Sequence, residues 1–84
     1  MKVVYTRHAG DKLLEVEAKK FRINKRKIEL VVKNPINRQE LPLVIRVVGK
    51  LDKAHSLCVV YNFIEEGNVK VITFFPTERG RYES

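Results

Sequence analysis

A chain of 84 residues with 44% hydrophobic side chains is long enough for one folded domain and too apolar for a disordered segment. Its net charge of +7 favours a polyanionic partner such as RNA, DNA or an acidic protein, with a charge kept for solubility as the alternative. No apolar run approaches the roughly 20 residues that cross a membrane, and no signal peptide is visible. We therefore expect a soluble, cytoplasmic protein.

Cysteine and histidine are too few to predict a metal site. Cys58 stands alone in an apolar run, which predicts a buried, inert thiol and is compatible with a reducing compartment. The sequence spacing of His8, His55 and Cys58 does not match that of known metal sites. Paired carboxylates occur only at Glu65 and Glu66, in a predicted turn. The sequence thus predicts no metal and no cofactor.

The first half of the chain predicts one strand followed by a helical hairpin. Residues 2–8 are rich in β-favouring side chains and form the predicted strand, which ends at His8. Apolar residues at helical spacing then predict a helix over residues 11–20. A second helix is predicted over residues 25–33, because Asn24 is a good N-cap and Asn34-Pro35 ends the pattern.

The second half predicts three consecutive strands. Residues 34–42 lack periodicity and form a predicted connection, after which residues 43–51 and 56–64 alternate as strands do. A hairpin turn at residues 65–68 leads into the last strand, residues 69–76. Both faces of that strand are largely apolar, so it should lie inside the sheet, with Val69, Val71, Thr73 and Phe75 on one face and Lys70, Ile72 and Phe74 on the other.

The predicted fold is therefore α+β, a single domain over residues 1–84. Its predicted element order is β-α-α-β-β-β, with an antiparallel sheet and the helical hairpin packed on one face. The second face is not wholly polar, so the C-terminal tail, a partner chain or a ligand would cover part of it.

Short phrases spread over nearly the whole chain resemble a known family. They are His8-Ala9, Ile23-Asn24 before the second helix, Asn34-Pro35, and Val71-Ile72-Thr73. Together with the element order, they resemble the DUF4258 domains, which are related to the RelE/ParE toxin-like fold of small RNases. That family often carries an arginine in the first helix, and residues 11–14 here contain none. Folds of this kind include mRNA-cleaving toxins, gyrase poisons and proteins with no known activity.

The resemblance implies a toxin-like protein that acts on RNA. If it is an enzyme, it would be an endoribonuclease of a toxin–antitoxin system that cleaves RNA without a metal ion. His8 is the candidate general base for a ribose hydroxyl. Arg79 and Arg81 are candidates for stabilising the phosphate, and Tyr82 for proton transfer or base stacking. The alternative is that His8 caps the strand–helix junction and that the tail is a frayed terminus. An acidic antitoxin-like protein would be the natural partner.

The densest positive charge lies around the turn between the two predicted helices. Arg46, in the middle of a predicted strand, is either part of a nucleic-acid surface on the open side of the sheet or an edge-strand charge that blocks aggregation. Two alternatives to an RNA-cleaving toxin remain. One is a non-catalytic module that binds nucleic acid or an acidic protein, and the other is a homodimer formed through the open sheet face. The cluster, which we name the basic corner, consists of Lys19, Lys20, Arg22, Lys25, Arg26 and Lys27.

Overall fold

One mixed sheet of five strands organises the computed structural model, which describes residues 1–83. The spatial order of the strands is β1-β5-β4-β3-β2, and three helices connect the first strand to the second. The predicted α+β class is confirmed. The elements in chain order are β1 (Val3–Tyr5), α1 (Arg7–Lys12), α2 (Val16–Lys20), α3 (Lys25–Lys33), β2 (Asn37–Glu40), β3 (Ile45–Lys50), β4 (His55–Phe63) and β5 (Val69–Glu78).

The helices follow their caps. Asn24 caps α3, accepting a hydrogen bond from the backbone N–H of Lys27 at 2.8 Å, so the helix predicted over residues 25–33 is confirmed. The single helix predicted over residues 11–20 is wrong. Thr6 caps α1 early, and the extended backbone of Glu15 separates it from α2. In the described part of the chain, no helix is long and apolar enough to span a membrane.

Two features of the sheet differ from the prediction. β1 is shorter than the predicted strand, and it pairs in parallel with β5, so the sheet is not purely antiparallel. The predicted connection over residues 34–42 contains a further strand, β2, which pairs with β3 through a turn at residues 41–44. Because β2 lies at the sheet edge and its four side chains are polar, it lacks the alternating pattern that predicts strands.

The core lies between the helices and one face of the sheet. Ala9, Ile28 and Val31 bring the helices onto this face, and each is at most 4% exposed. Burial of these apolar side chains is the main force that fixes the helices on the sheet. The side chains that the sheet contributes to this core are Val47, Leu57, Val59, Tyr61, Val69, Val71 and Phe74.

A β-bulge in β5 changes which side chains face the core. Tyr61 pairs with Val71 and Val60 with Thr73, so Ile72 is an extra residue opposite β4. After this residue the alternation is inverted, so Phe74 joins the core at 1% exposure. The prediction that Thr73 and Phe75 share a face with Val71 is therefore wrong.

Helix α1 is tied to the bulge at both of its ends. The Thr6 hydroxyl donates to the carbonyl of Ile72 at 3.0 Å while accepting from the N–H of Ala9 at 3.1 Å. The Lys12 ammonium donates to the carbonyl of Phe74 and lies 5.2 Å from the centre of its ring. These contacts satisfy backbone carbonyls that the bulge and the short β1 leave without a strand partner.

We expect Gly49→Ala to lower the free energy of unfolding by about 1–3 kcal/mol, because α3 packs directly on Gly49. A Cβ atom there would lie 2.8 Å from Cγ2 of Val31. Apart from the helix's own backbone and the two chain neighbours, no atom of residues 1–83 lies within 4 Å of a Cβ at Gly10 in α1, so Gly10→Ala should raise the same free energy by about 0.5–1 kcal/mol. Urea denaturation measures both changes. Equal stability of the wild type and Gly49→Ala would contradict the packing of α3 on β3.

Candidate nucleic-acid interface

The turn between α2 and α3 presents the basic corner to solvent. Ile23 anchors this turn, since its side chain is 5% exposed and its N–H donates to the carbonyl of Ala18 at 2.8 Å. Arg22 precedes it in the left-handed conformation, with φ of 56°, which reverses the chain within a few residues. The buried anchor thereby directs the neighbouring charged side chains outward. Lys19, Lys20, Arg22, Lys25 and Arg26 are exposed, and Lys27 is half-buried.

The charges of the basic corner are not neutralised within the described chain. Over residues 1–83, the ion pairs within 4.0 Å involve Arg38, His55 and Arg79, none of which belongs to the corner. The Lys25 ammonium lies 5.2 Å from the ring centre of Tyr5, and Lys27 donates to the carbonyl of Leu51 at 3.4 Å. Such contacts orient the side chains and leave the positive charge uncompensated.

The acidic residue of α3, Glu29, is bound by Tyr5, the residue on which Lys25 packs. The Tyr5 hydroxyl donates to Oε2 of Glu29 at 3.2 Å. Burial and the charge of Glu29 together raise the pKa of Tyr5 well above its usual value, so the phenol stays protonated and keeps this hydrogen bond. Glu29 is thus engaged with Tyr5 of β1, and within residues 1–83 it forms no ion pair within 4.0 Å with the basic corner.

Aromatic rings lie next to this charge. Phe21, at the end of α2, packs edge-on against the ring of His55, with 4.8 Å between ring centres. Both residues are half-buried, and the imidazole is held by Asp52, whose Oδ1 lies 3.0 Å from Nδ1. A fixed aromatic surface beside a positive surface is the combination with which proteins hold unpaired bases.

His8 lies in the helical layer. The prediction that it ends the first strand is wrong, because Thr6 caps α1 and places His8 in the first helical turn. α1 begins beside Val71, whose carbonyl accepts from the N–H of Thr6 at 2.9 Å. The His8 side chain is exposed.

The C-terminal tail, residues 79–83, folds back over the opposite face of the sheet. The guanidinium carbon of Arg46 lies 4.6 Å from the ring centre of Tyr82, and the Tyr82 ring packs edge-on against Phe75. Its carbonyl accepts from the Asn37 amide at 3.1 Å. Arg46 in turn donates to Gln39 on β2. The face opposite the helices is therefore partly covered by the chain itself.

The four predicted catalytic residues do not share one groove. Arg79 is held at the far end of β5, where its N–H donates to the carbonyl of Ala54 at 3.0 Å, and Arg81 follows it in an exposed turn. Arg79 lies eight positions after Val71, which is beside the start of α1, and this spacing is roughly 25 Å of extended strand. Tyr82 lies on the face opposite α1, and so does Arg46. Arg46 is accordingly separate from the basic corner.

Glu83 secures the tail, and the sequence interpretation missed it. Its carboxylate accepts from the N–H of Gly80 and, at 3.0 Å, from the hydroxyl of Ser56, and it pairs with Arg79 at 3.5 Å. The hydrogen bond from the N–H of Gly80 is the main cause of a lowered pKa at Glu83, and the bond from the Ser56 hydroxyl lowers this pKa further. Gly80 and Arg79 are within four residues of Glu83, but the bond that fixes it on the sheet comes from Ser56, 27 positions away, and a lone glutamate carries no signal for that contact.

Cys58 lies under this tail. It pairs across the strands with Val48 and Phe75, on the face that Tyr82 covers, and it is 0% exposed. Burial raises the pKa of the Cys58 thiol to about 11, with Arg46 acting in the opposite direction. The prediction of a buried thiol is confirmed.

We expect Tyr82→Ala to increase the rate at which a disulfide reagent modifies Cys58 by about tenfold or more, because the ring that packs over this face on Phe75 and Arg46 is removed. The neighbouring change Arg81→Ala is the control, since Arg81 is exposed and its hydrogen bond within residues 1–83 runs from its backbone N–H to the carbonyl of Glu78. Reaction kinetics at mildly alkaline pH measure the effect. Equal rates in the wild type and Tyr82→Ala would show that the tail does not protect this face.

Comparisons of the sequence with protein-family models, with curated proteins and with solved structures give no match. The resemblance to the DUF4258 domains and to the RelE/ParE toxin-like fold therefore stays a prediction from the sequence phrases.

Proposed function

We propose that this chain is a small RNA-binding protein whose basic corner contacts the phosphate backbone of an unpaired strand. The observation that carries the proposal is the corner itself: six basic residues in nine positions, outside every ion pair of residues 1–83. Such a surface attracts nucleic acid through phosphate contacts and the release of counterions. It positions a strand without reading its sequence.

The aromatic pair beside the corner favours a single strand over a duplex. A-form RNA helices and B-DNA keep their bases stacked inside, where Phe21 and His55 could not reach a base face. An unpaired strand exposes that face, and stacking adds about 1–3 kcal/mol per base. Because Phe21 directly follows Lys20, one nucleotide could place its phosphate on the corner and its base on the ring.

Cleavage is not part of this proposal. A metal-independent ribonuclease needs its base, its acid and its phosphate-binding cations around one scissile bond. His8 lies in the helical layer, whereas Tyr82 lies on the opposite face and contacts Arg46. Cleavage by the predicted residues stays a hypothesis that the same assay tests.

Fluorescence anisotropy with a labelled oligouridylate, in buffer containing a metal chelator, tests the proposal. We expect binding at about 50 mM salt, with log K falling against log salt at a slope of roughly −2 to −4 for three to six phosphate contacts. Gel analysis of the same mixtures should show intact RNA. No binding at low salt would contradict the proposal, and cleavage that His8→Ala abolishes would replace it with the ribonuclease hypothesis.

A further inference from the structure

A groove of about 270 Å³ opens to solvent between α3 and β3. Its apolar side is formed by Val31, which packs on Gly49, and by Leu30, which is 53% exposed although it lies beside the core. Lys27 and Asn34 are seven residues apart on α3, so they lie about 10 Å from each other along the helix. The residues that line the groove are Lys27, Leu30, Val31, Asn34, Gly49 and Lys50.

The chemistry of the lining restricts the occupant. Two of the lining residues are aliphatic and two are lysines, and none of them is acidic or aromatic. The Lys50 side chain is exposed, and the Lys27 ammonium has a weak bond, to the carbonyl of Leu51 at 3.4 Å. Sites for unpaired nucleotides rely on aromatic stacking, which these residues do not provide. A groove that combines an exposed leucine with two lysines instead complements an apolar side chain flanked by carboxylates. The groove volume is just below the roughly 300–1,000 Å³ of ligand pockets, so it fits one or two side chains rather than a whole helix.

We propose that this groove is the docking site for an acidic peptide segment of a partner protein. One large aliphatic side chain of the segment packs on Leu30 and Val31. Carboxylates on either side of it pair with the ammonium groups of Lys27 and Lys50. The proposal does not depend on RNA binding, but the two are linked because Lys27 belongs to both surfaces, so an acidic segment in the groove would compete with RNA at that end of the corner.

The test uses two labelled peptides, one with a central leucine flanked on each side by aspartate and glutamate, and one with serine in place of that leucine. We expect the leucine peptide to bind about tenfold more tightly, since the leucine buries apolar area. Leu30→Ser should weaken it about tenfold and Lys50→Gln about fivefold. Lys33→Gln, on α3 but outside the groove, should change it by less than about twofold.

Equal affinities for the two peptides, or no measurable binding of either at low salt, would overturn the proposal. So would a Leu30→Ser variant that loses affinity for oligouridylate while keeping that for the peptide, because the groove would then accept a nucleotide. Leu30, Lys50 and Lys33 are all exposed, so their variants should fold, and circular dichroism checks this. If Leu30→Ser misfolds, the affinities of Lys50→Gln and Lys33→Gln for the leucine peptide decide instead. Equal affinities of these two variants would overturn the proposal.

Discussion

Replacing Lys19, Arg22 and Arg26 together by glutamine should lower the affinity for oligouridylate about a hundredfold at 0.1 M salt. Each phosphate contact with a single strand contributes about 0.7 to the salt slope, so three lost contacts correspond to roughly two orders of magnitude at that concentration. The slope itself should become less steep by about two. All three side chains are exposed, so the fold should be retained.

The matched control is a second triple variant with the same net charge. Changing Lys2, Lys53 and Lys70 to glutamine also lowers the charge from +7 to +4, since each variant removes three positive residues. These lysines are exposed and lie outside the corner. We expect their loss to change the affinity by less than about fivefold, through the general field of the protein. Equal losses in the two variants would show that net charge, and not the corner, attracts RNA.

Phe74→Ala should lower the free energy of unfolding by about 3–5 kcal/mol. The ring is 1% exposed, faces the helices and lies under the ammonium of Lys12. A domain of this size has a total stability of about 5–10 kcal/mol, so the variant should be close to unfolding at room temperature. Urea denaturation measures the loss, as a lower midpoint of the unfolding transition with an unchanged dependence of the free energy on urea concentration.

Phe75→Ala is the control, because it removes the same ring from the next residue on the opposite face. Phe75 is half-buried, beneath Tyr82, so we expect a smaller loss of about 1–2 kcal/mol. The alternation predicted from the sequence, with Phe75 on the same face as Val69 and Val71, gives no reason for this ranking. A larger loss for Phe75 than for Phe74 would contradict the bulge at Ile72.

Helix α3 could be predicted from the sequence because its determinants are local. Asn24 accepts from an N–H only three residues away, and Ile28, Val31 and Val32 form one buried stripe within the same helix. The exposure of the basic corner follows from the same turn. These parts of the interface depend on residues that are close in the sequence.

The sheet was harder to predict because its contacts are distant in the sequence. The bulge at Ile72 depends on how β4 and β5 pair and on Thr6, whose hydroxyl bonds a residue 66 positions away. A period-2 pattern carries no mark of the extra residue, and no glycine signals it. The polar strand β2 is held by backbone pairing with β3, to which its side chains contribute little.

The positions of the candidate catalytic residues relative to one another also depend on long-range geometry. The family resemblance groups His8 with the tail, and the structure pairs β1 with β5. That pairing extends only from Val69 to Val71, however, and β5 continues for seven residues beyond it. The tail then turns onto the face with Arg46, because Tyr82 packs on Arg46 there and Glu83 accepts a hydrogen bond from Ser56.

The most direct test of the account is a map of where RNA contacts the protein. Isotope-labelled protein is titrated with oligouridylate at about 50 mM salt, where phosphate contacts are strong, and amide chemical shifts are followed by NMR. We predict that the largest changes fall within residues 19–27 and at His55, while the amides of Arg46, Ser56 and Tyr82 stay unchanged. Changes concentrated on the face that carries Arg46 and Tyr82, with residues 19–27 unaffected, would contradict the basic corner as the RNA-binding surface.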